Sequence, residues 1–260
     1  FQQANELFLE VSRGDVEARM HLRTGRLYTA KTILSRQSEQ RTPFQLPRSH
    51  RETPLLLSLI NAFMGEVDEA SSNAQEGLNI GLRMKALFVQ AVAYMRLGHT
   101  KQLKSWSDRE EALECYQQAL DIVSSLGVER GKAEPLFGLC LLYGHQGSLD
   151  IALRYGMEGL RVSNQSKDDW MAAMIELGIT IAYYKSAAYD QAKEWANRSL
   201  QSFVCCCDSY LSTVAMFWQA MTATATGAQA DLRRVGEILL TRTQANDLDL
   251  LFTRPTLLGL

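Results

Sequence analysis

The residues best equipped for chemistry in this 260-residue chain are five cysteines and four histidines, and their spacing decides what they can do. Cys205, Cys206 and Cys207 are consecutive. Three thiolates could hold a soft metal or exchange disulfides, but adjacent side chains diverge and no histidine or further cysteine stands near them in sequence. The triplet therefore predicts small buried residues at a tight interhelix turn, with reduced thiols that suit a cytoplasmic setting better than a disulfide framework. His21, His50, His99 and His145 are scattered over separate segments, which predicts surface or helix-end positions. His145 alone ends an apolar helical run on a face expected to line a groove. Asp168 and Asp169 follow Ser166, and capping of a helix start accounts for them better than acid–base catalysis. No phosphate loop, no G-x-G-x-x-G after a strand, no H-E-x-x-H and no paired C-x-x-C occurs. The sequence thus assigns no catalytic, cofactor-binding or metal-ligating set, and the expectation is a non-enzyme.

What must position these residues is a repeat. Glu134 to Gln201 contains one unit twice: an apolar helix, a tight turn (Gly147-Ser148-Leu149-Asp150, then Ala187-Ala188-Tyr189-Asp190) and a second helix carrying an alanine, Ala152 or Ala192. Those alanines belong to an almost evenly spaced series, Ala30, Ala70, Ala112, Ala152 and Ala192, and Gly227 marks a looser sixth copy. A small residue at the turn allows a sharp reversal, and alanine in the second helix lets two helices cross closely. A lone hairpin cannot bury its apolar stripe, so hairpins stack on their neighbours. The expected fold is all-α: a right-handed superhelix, or α-solenoid, of about six tetratricopeptide-like helical hairpins with a period of about 40 residues. One repeat domain over 1–260 is expected, with units near 13–40, 53–81, 82–126, 133–165, 168–204 and 209–243.

Local signals fill in the frame. Gly14-Asp15 predicts a break between a helix over 1–12 and a shorter one ending at Thr24; Pro43 and Pro47 predict a loop over 35–52. Thr53-Pro54 predicts a cap and first helical position. A helix ending at Gly98 is followed by an apparent insertion, His99–Trp106, and Ser107-Asp108-Arg109-Glu110 fits a capping box. With 27 basic against 29 acidic residues and no cationic cluster, direct nucleic-acid binding is not expected. No apolar run approaches the ~20 residues of a membrane span. The chain opens and closes within its pattern, which predicts a fragment of a longer polypeptide.

If first helices line a concave groove, the residues facing it are Phe63, Phe88, Phe137, Leu177, Tyr184 and Phe217, a stacking surface for a peptide, a sugar or a heterocycle. Arg96, Glu134, His145 and Lys185 supply the orienting polar groups. The expected partner is a small-molecule effector, or a protein or peptide segment, in that groove.

Three stretches, RGKAEPLFGLCLLYGHQGSLDIA (130–152), KDDWMAAMIELGITIAYYKSAAYDQA (167–192) and LFTRPTLLG (251–259), resemble the sensor repeats of MalT-type regulators, the large ATP-binding bacterial transcription activators of the signal-transduction ATPase class. The match is closer to a subset that also carries a winged-helix and bacterial transcriptional activator domain. The resemblance implies a non-catalytic sensing and interaction domain, contacts with other domains of the same polypeptide, and self-association. It assigns neither a nucleotide site nor a DNA-binding domain to these residues. A general tetratricopeptide scaffold unconnected with transcription is the alternative.

Overall fold

The structure, a computed structural model, describes residues 2–39, 48–104, 109–245 and 256–258. Within them lie twelve helices: α1 (Gln2–Arg23), α2 (Leu27–Glu39), α3 (Arg48–Met64), α4 (Val67–Arg83), α5 (Leu87–Lys104), α6 (Arg109–Ser125), α7 (Ala133–His145), α8 (Leu149–Gln165), α9 (Asp169–Lys185), α10 (Tyr189–Cys205), α11 (Ser209–Ala225) and α12 (Gln229–Ala245). A 3-10 turn at Glu129–Lys132 leads into α7, and no strand occurs among the described residues. The chain is all-α and built of tandem hairpins. It divides into two compact units, Phe1–Cys115 with Leu250–Leu260, and Tyr116–Asp249.

One joint connects the helices. In the second unit Gly127, Gly147, Lys167, Ala187, Cys207 and Gly227 all have positive φ, and they are evenly spaced along the chain. At Cys207 the amide donates to the Val204 carbonyl (3.1 Å) and that of Asp208 to the Phe203 carbonyl (3.0 Å), the paired bonds of a Schellman helix end. The same two bonds recur at Gly147 (to Gly144 and Tyr143), Lys167 (to Asn164 and Ser163) and Ala187 (to Tyr184 and Tyr183). Glycine takes this backbone freely; at Lys167, Ala187 and Cys207 the left-handed conformation costs about 1–2 kcal/mol each. Each joint is followed by an N-cap residue, and Asp168 and Asp208 cap with their side chains, accepting from the Met171 (3.2 Å) and Leu211 (2.8 Å) amides. The capping role expected of the Asp168-Asp169 pair is thus carried by Asp168.

The alanine series does what its size suggests. Ala30, Ala70, Ala112, Ala152 and Ala192 are all fully buried. In the second unit, first helices (α7, α9, α11) are apolar on nearly every face, whereas α8 and α10 are amphipathic, with the exposed face charged or polar. α9 packs against α7, α8, α10 and α11, which explains why its sequence lacks a polar stripe.

Several local expectations are corrected. α1 runs without a break through Gly14, and this glycine is a contact point instead: an added Cβ would sit 1.8 Å from Gln37 Nε2. α5 does not end at Gly98 but continues to Lys104, with Gly98, His99 and Thr100 buried; a glycine flanked by buried neighbours marks packing, not termination, so the apparent insertion is mostly helix. Trp106 and the capping box at Ser107 lie outside the described residues, although α6 starts at Arg109. α2 runs to Glu39 and α3 begins at Arg48, so Pro54 is inside the helix and 35–39 and 48–52 are helical, not loop; Pro43 and Pro47 lie outside the described residues.

Thr53 is buried and is not a cap; its hydroxyl donates to Asp15 Oδ1 at 3.3 Å. Burial pushes the Asp15 carboxyl up to about 6, against the pull of Arg19. A raised carboxyl favours the folded state fully below its unfolded value of 3.8, and that contribution disappears as pH rises through 6. Asp15→Asn therefore raises stability at pH 8 by on the order of 1 kcal/mol, the half-exposed site muting the effect, and leaves it unchanged near pH 4. Chemical melts at the two pH values check both halves.

Candidate binding site at the ends of the first helices

A helix enclosed by four neighbours offers its ends to a ligand. In the second unit the C-terminal ends of α7 and α9 come together because Gly144 lacks a side chain: an added Cβ would lie 2.9 Å from the Cα of Ala182. This approach sets His145, the last residue of α7, beside Lys185, the last of α9. Burial, reinforced by the Lys185 charge, pushes the His145 imidazole down to about 4. It is neutral at physiological pH, one nitrogen donating and the other accepting. Burial also lowers Lys185, whose ammonium remains exposed.

Tyr184 precedes Lys185 on α9. Its ring meets Trp218 of α11 edge-on at 5.3 Å and Tyr189 of α10 at 5.5 Å, and Trp218 in turn meets Phe217 at 5.7 Å. Burial raises the Tyr184 phenol, so it too is neutral. A neutral imidazole and an ammonium thus share one edge of the unit, with the half-buried Tyr184 phenol one position before Lys185 on α9 and backed by the buried Trp218 and Phe217 rings. Together they can donate hydrogen bonds to an anionic or carbonyl group and stack against an apolar one. Among the described residues no group of three or more His, Cys, Asp or Glu side chains is arranged to hold a metal ion, and no helix is long and apolar enough to cross a membrane.

The ten residues assigned to the groove fall into four sets. His145 and Lys185 come together as described, with Tyr184 preceding Lys185 on α9. Phe137, Leu177 and Phe217 of the same unit, and Phe63 of the first, are buried in the core; the Phe137 ring lies against Gly178. Glu134 is half-buried in the first turn of α7. Phe88 and Arg96 belong to the first unit. Phe88 is 43% exposed beside Leu82, Met84 and Leu87, which are also exposed, whereas Arg96 is buried with its Nε donating to the Leu55 carbonyl at 3.2 Å.

His99 departs from its expected surface position. It is buried inside α5, and desolvation aided by Arg96 lowers its pKa well below the usual range. The cysteine triplet does occupy an interhelix turn, but Cys205 and Cys207 are exposed and Cys206 half-buried, because the turn lies at the unit's surface.

Sequence reasoning missed other aromatic and charged contacts of the second unit. Tyr143 stacks on Tyr155 at 5.6 Å, and Arg154 lies over the Tyr155 ring. One repeat later Arg198 covers Trp195 at 4.9 Å and pairs with the buried Glu176 carboxylate at 2.5 Å, which also accepts from Ser202. The signal was the repeat offset itself, since Tyr155 and Trp195 are equivalent positions. Equivalent links also tie successive hairpins: Arg130 Nε donates to Asp168 Oδ2 (2.7 Å) and Trp170 Nε1 to Asp208 Oδ2 (2.9 Å), with donor and acceptor both displaced by one repeat between the two links.

No family model matches the chain, and no curated protein matches it by sequence. Solved structures match its fold. A Rap protein complexed with Competence and Sporulation Factor superposes with a TM-score of 0.75 at 15% identity, covering 94% of this chain and 67% of that one. Aspartyl phosphate phosphatase F from Bacillus subtilis gives 0.65 at 15% identity, covering 94% and 63%. A signal transduction ATPase with numerous domains and a tetratricopeptide repeat sensor, from Pyrococcus horikoshii, gives 0.60 at 15% identity, covering 95% of this chain but only 37% of that protein. The chain therefore spans about a third of the Pyrococcus protein. These likenesses show the fold, a tetratricopeptide-like α-solenoid.

Proposed function

We propose that this chain is a non-catalytic sensing and interaction domain of a bacterial transcription regulator, cytoplasmic and part of a longer polypeptide. It binds an effector or a partner segment at the edge formed by His145, Tyr184 and Lys185. The observation that supports the reading is the meeting of a neutral imidazole and an ammonium at the ends of otherwise enclosed helices, with the half-buried Tyr184 one position away on α9. Two fold relatives support it: one was solved in complex with Competence and Sporulation Factor, and one carries a tetratricopeptide repeat sensor. The resemblance of 130–152, 167–192 and 251–259 to MalT-type sensors gives the reading its regulatory setting and the expectation of self-association.

A thermal-shift screen against sugars, nucleotides and short peptides tests it. A ligand present at 100 times its Kd stabilises the folded form by about 2.7 kcal/mol, a rise of several degrees. The expected result is such a rise for one class, abolished in His145→Gln and Lys185→Ala, whose melting without ligand stays near that of the parent. If no class raises the melting temperature, or the rise survives both substitutions, the reading fails. A sugar or nucleotide hit identifies a small-molecule sensor, whereas a peptide hit favours the scaffold reading.

A further inference from the structure

Among the described residues of the first unit, three come from far along the chain. Thr256, Leu257 and Leu258 follow α12 in sequence, yet they pack in the unit formed by residues 1–115. They are 3%, 4% and 0% exposed, and the Leu257 amide donates to the Ala62 carbonyl at 3.0 Å, a bond that joins the chain's last described segment to α3.

The acceptor's position is informative. Ala62 is in the last turn of α3, a first helix, and its carbonyl also receives the Gly65 amide at 3.3 Å. Ala62 stands in the same place before the positive-φ joint at Gly65 as Gly144 does before Gly147 and Tyr184 before Ala187. The carbonyl holding Leu257 is thus the repeat equivalent of the helix ends that form the candidate site in the second unit. At this register position the molecule itself seats a backbone N–H, from a segment whose two leucine side chains are buried.

We propose that Thr256–Leu258 is a ligand held in cis: the end of α3 is an acceptor site for a leucine-bearing peptide, kept filled by the chain's own segment. The contact consists of three residues, and their identity defines the chemistry the site accepts: a free amide for a helix-end carbonyl and adjacent branched aliphatic side chains. A competing segment of that chemistry must displace the resident one, so occupancy is regulated by release rather than by an empty groove. The proposal extends the reading of first-helix ends as recognition positions, but it concerns the other unit, and its failure leaves the His145 and Lys185 test untouched.

The experiment uses a fluorescein-labelled peptide, LFTRPTLLGL, and fluorescence anisotropy. The intact chain is expected to bind it at least 10-fold more weakly than the Leu257→Ser, Leu258→Ser double variant, whose site has lost its resident ligand. A peptide carrying the same two substitutions should bind neither. Equal binding by the two proteins, or none by a folded variant, overturns the proposal. If circular dichroism shows the variant unfolded, hydrogen exchange on the parent chain decides. A cis ligand requires the Leu257 amide to exchange at least 10-fold faster than the amides within α3, and an equal rate identifies the segment as ordinary core.

Discussion

Trp218→Ala should lower the melting temperature of the second unit by roughly 6–20 °C, the largest loss expected of any single truncation in the chain. Trp218 is the largest of the fully buried side chains. Its ring fills the space between α9 and α11 and is met edge-on by Tyr184 and Phe217. Truncating a buried tryptophan costs about 3–5 kcal/mol, because the transfer energy is lost and the surrounding helices only partly close the cavity. A chain of this size shifts by about 2–4 °C per kcal/mol. In a repeat array each unit leans on its neighbours, so the loss should appear first as faster amide exchange in α11 and α12, with α7 and α8 still protected. Trp218→Phe, which keeps an aromatic ring in place, should retain more than half of the lost stability. A thermal melt within a degree or two of the parent for Trp218→Ala would show that the ring does not fill the α9–α11 interface.

Gly144→Val should cost about 1–3 kcal/mol or more and also alter the candidate site. An added Cβ would meet Ala182 Cα and Cβ at 2.9 Å and its N at 3.4 Å. Two of those three atoms are backbone, so no rotamer change relieves the clash and α7 must move away from α9. Gly138 is crowded as well, but by the buried Tyr116 ring and not by backbone. Gly236, inside α12, has nothing within 4 Å of an added Cβ, and Gly236→Ala should stabilise by about 0.5–1 kcal/mol through helix propensity alone. The pair of substitutions therefore separates close packing from backbone entropy. Moving α7 also separates His145 from Lys185 and opens it to solvent. The imidazole, held at about 4 in the parent, should then titrate nearer its ordinary 6.5, a change that NMR titration of His145 reads directly.

The repeat is legible because its period is written in small residues: the five alanines that fix the hairpin spacing are all fully buried. The joints are half legible. Those at Gly147 and Gly227 advertise their left-handed backbone, but Lys85, Lys167 and Cys207 adopt it with side chains that give no such notice, so joints between hairpins do not stand out. Glycine misleads in the other direction at Gly14 and Gly98, where it serves contact inside a helix rather than ending one.

The site is less legible than the fold for a related reason. A period of 3.6 identifies a face only when the opposite face is polar. α9 is apolar all round, so Leu177 and its equivalents could be placed on any side of the helix, and the structure puts Phe63, Phe137, Leu177 and Phe217 in the core. His145, Tyr184 and Lys185 can be read from sequence because they stand at helix ends, where polar residues interrupt the apolar run. Trp218 and Tyr189 meet Tyr184 from other helices, and that proximity has no counterpart in the linear order.

The uniform joint has a consequence for how such a chain can change in length. Each helix of the second unit from α8 to α12 has 17 residues and is separated from the next by the same short link, whether or not the link crosses a hairpin boundary. Backbone geometry alone would therefore accept the gain or loss of a single helix with its link. Burial would not, since helices downstream would swap enclosed and half-exposed slots, setting α11's apolar faces in water and charged faces of α10 in the interior. Growth and shrinkage in this unit are thus confined to whole hairpins, a parity rule enforced by solvent and not by the hinge.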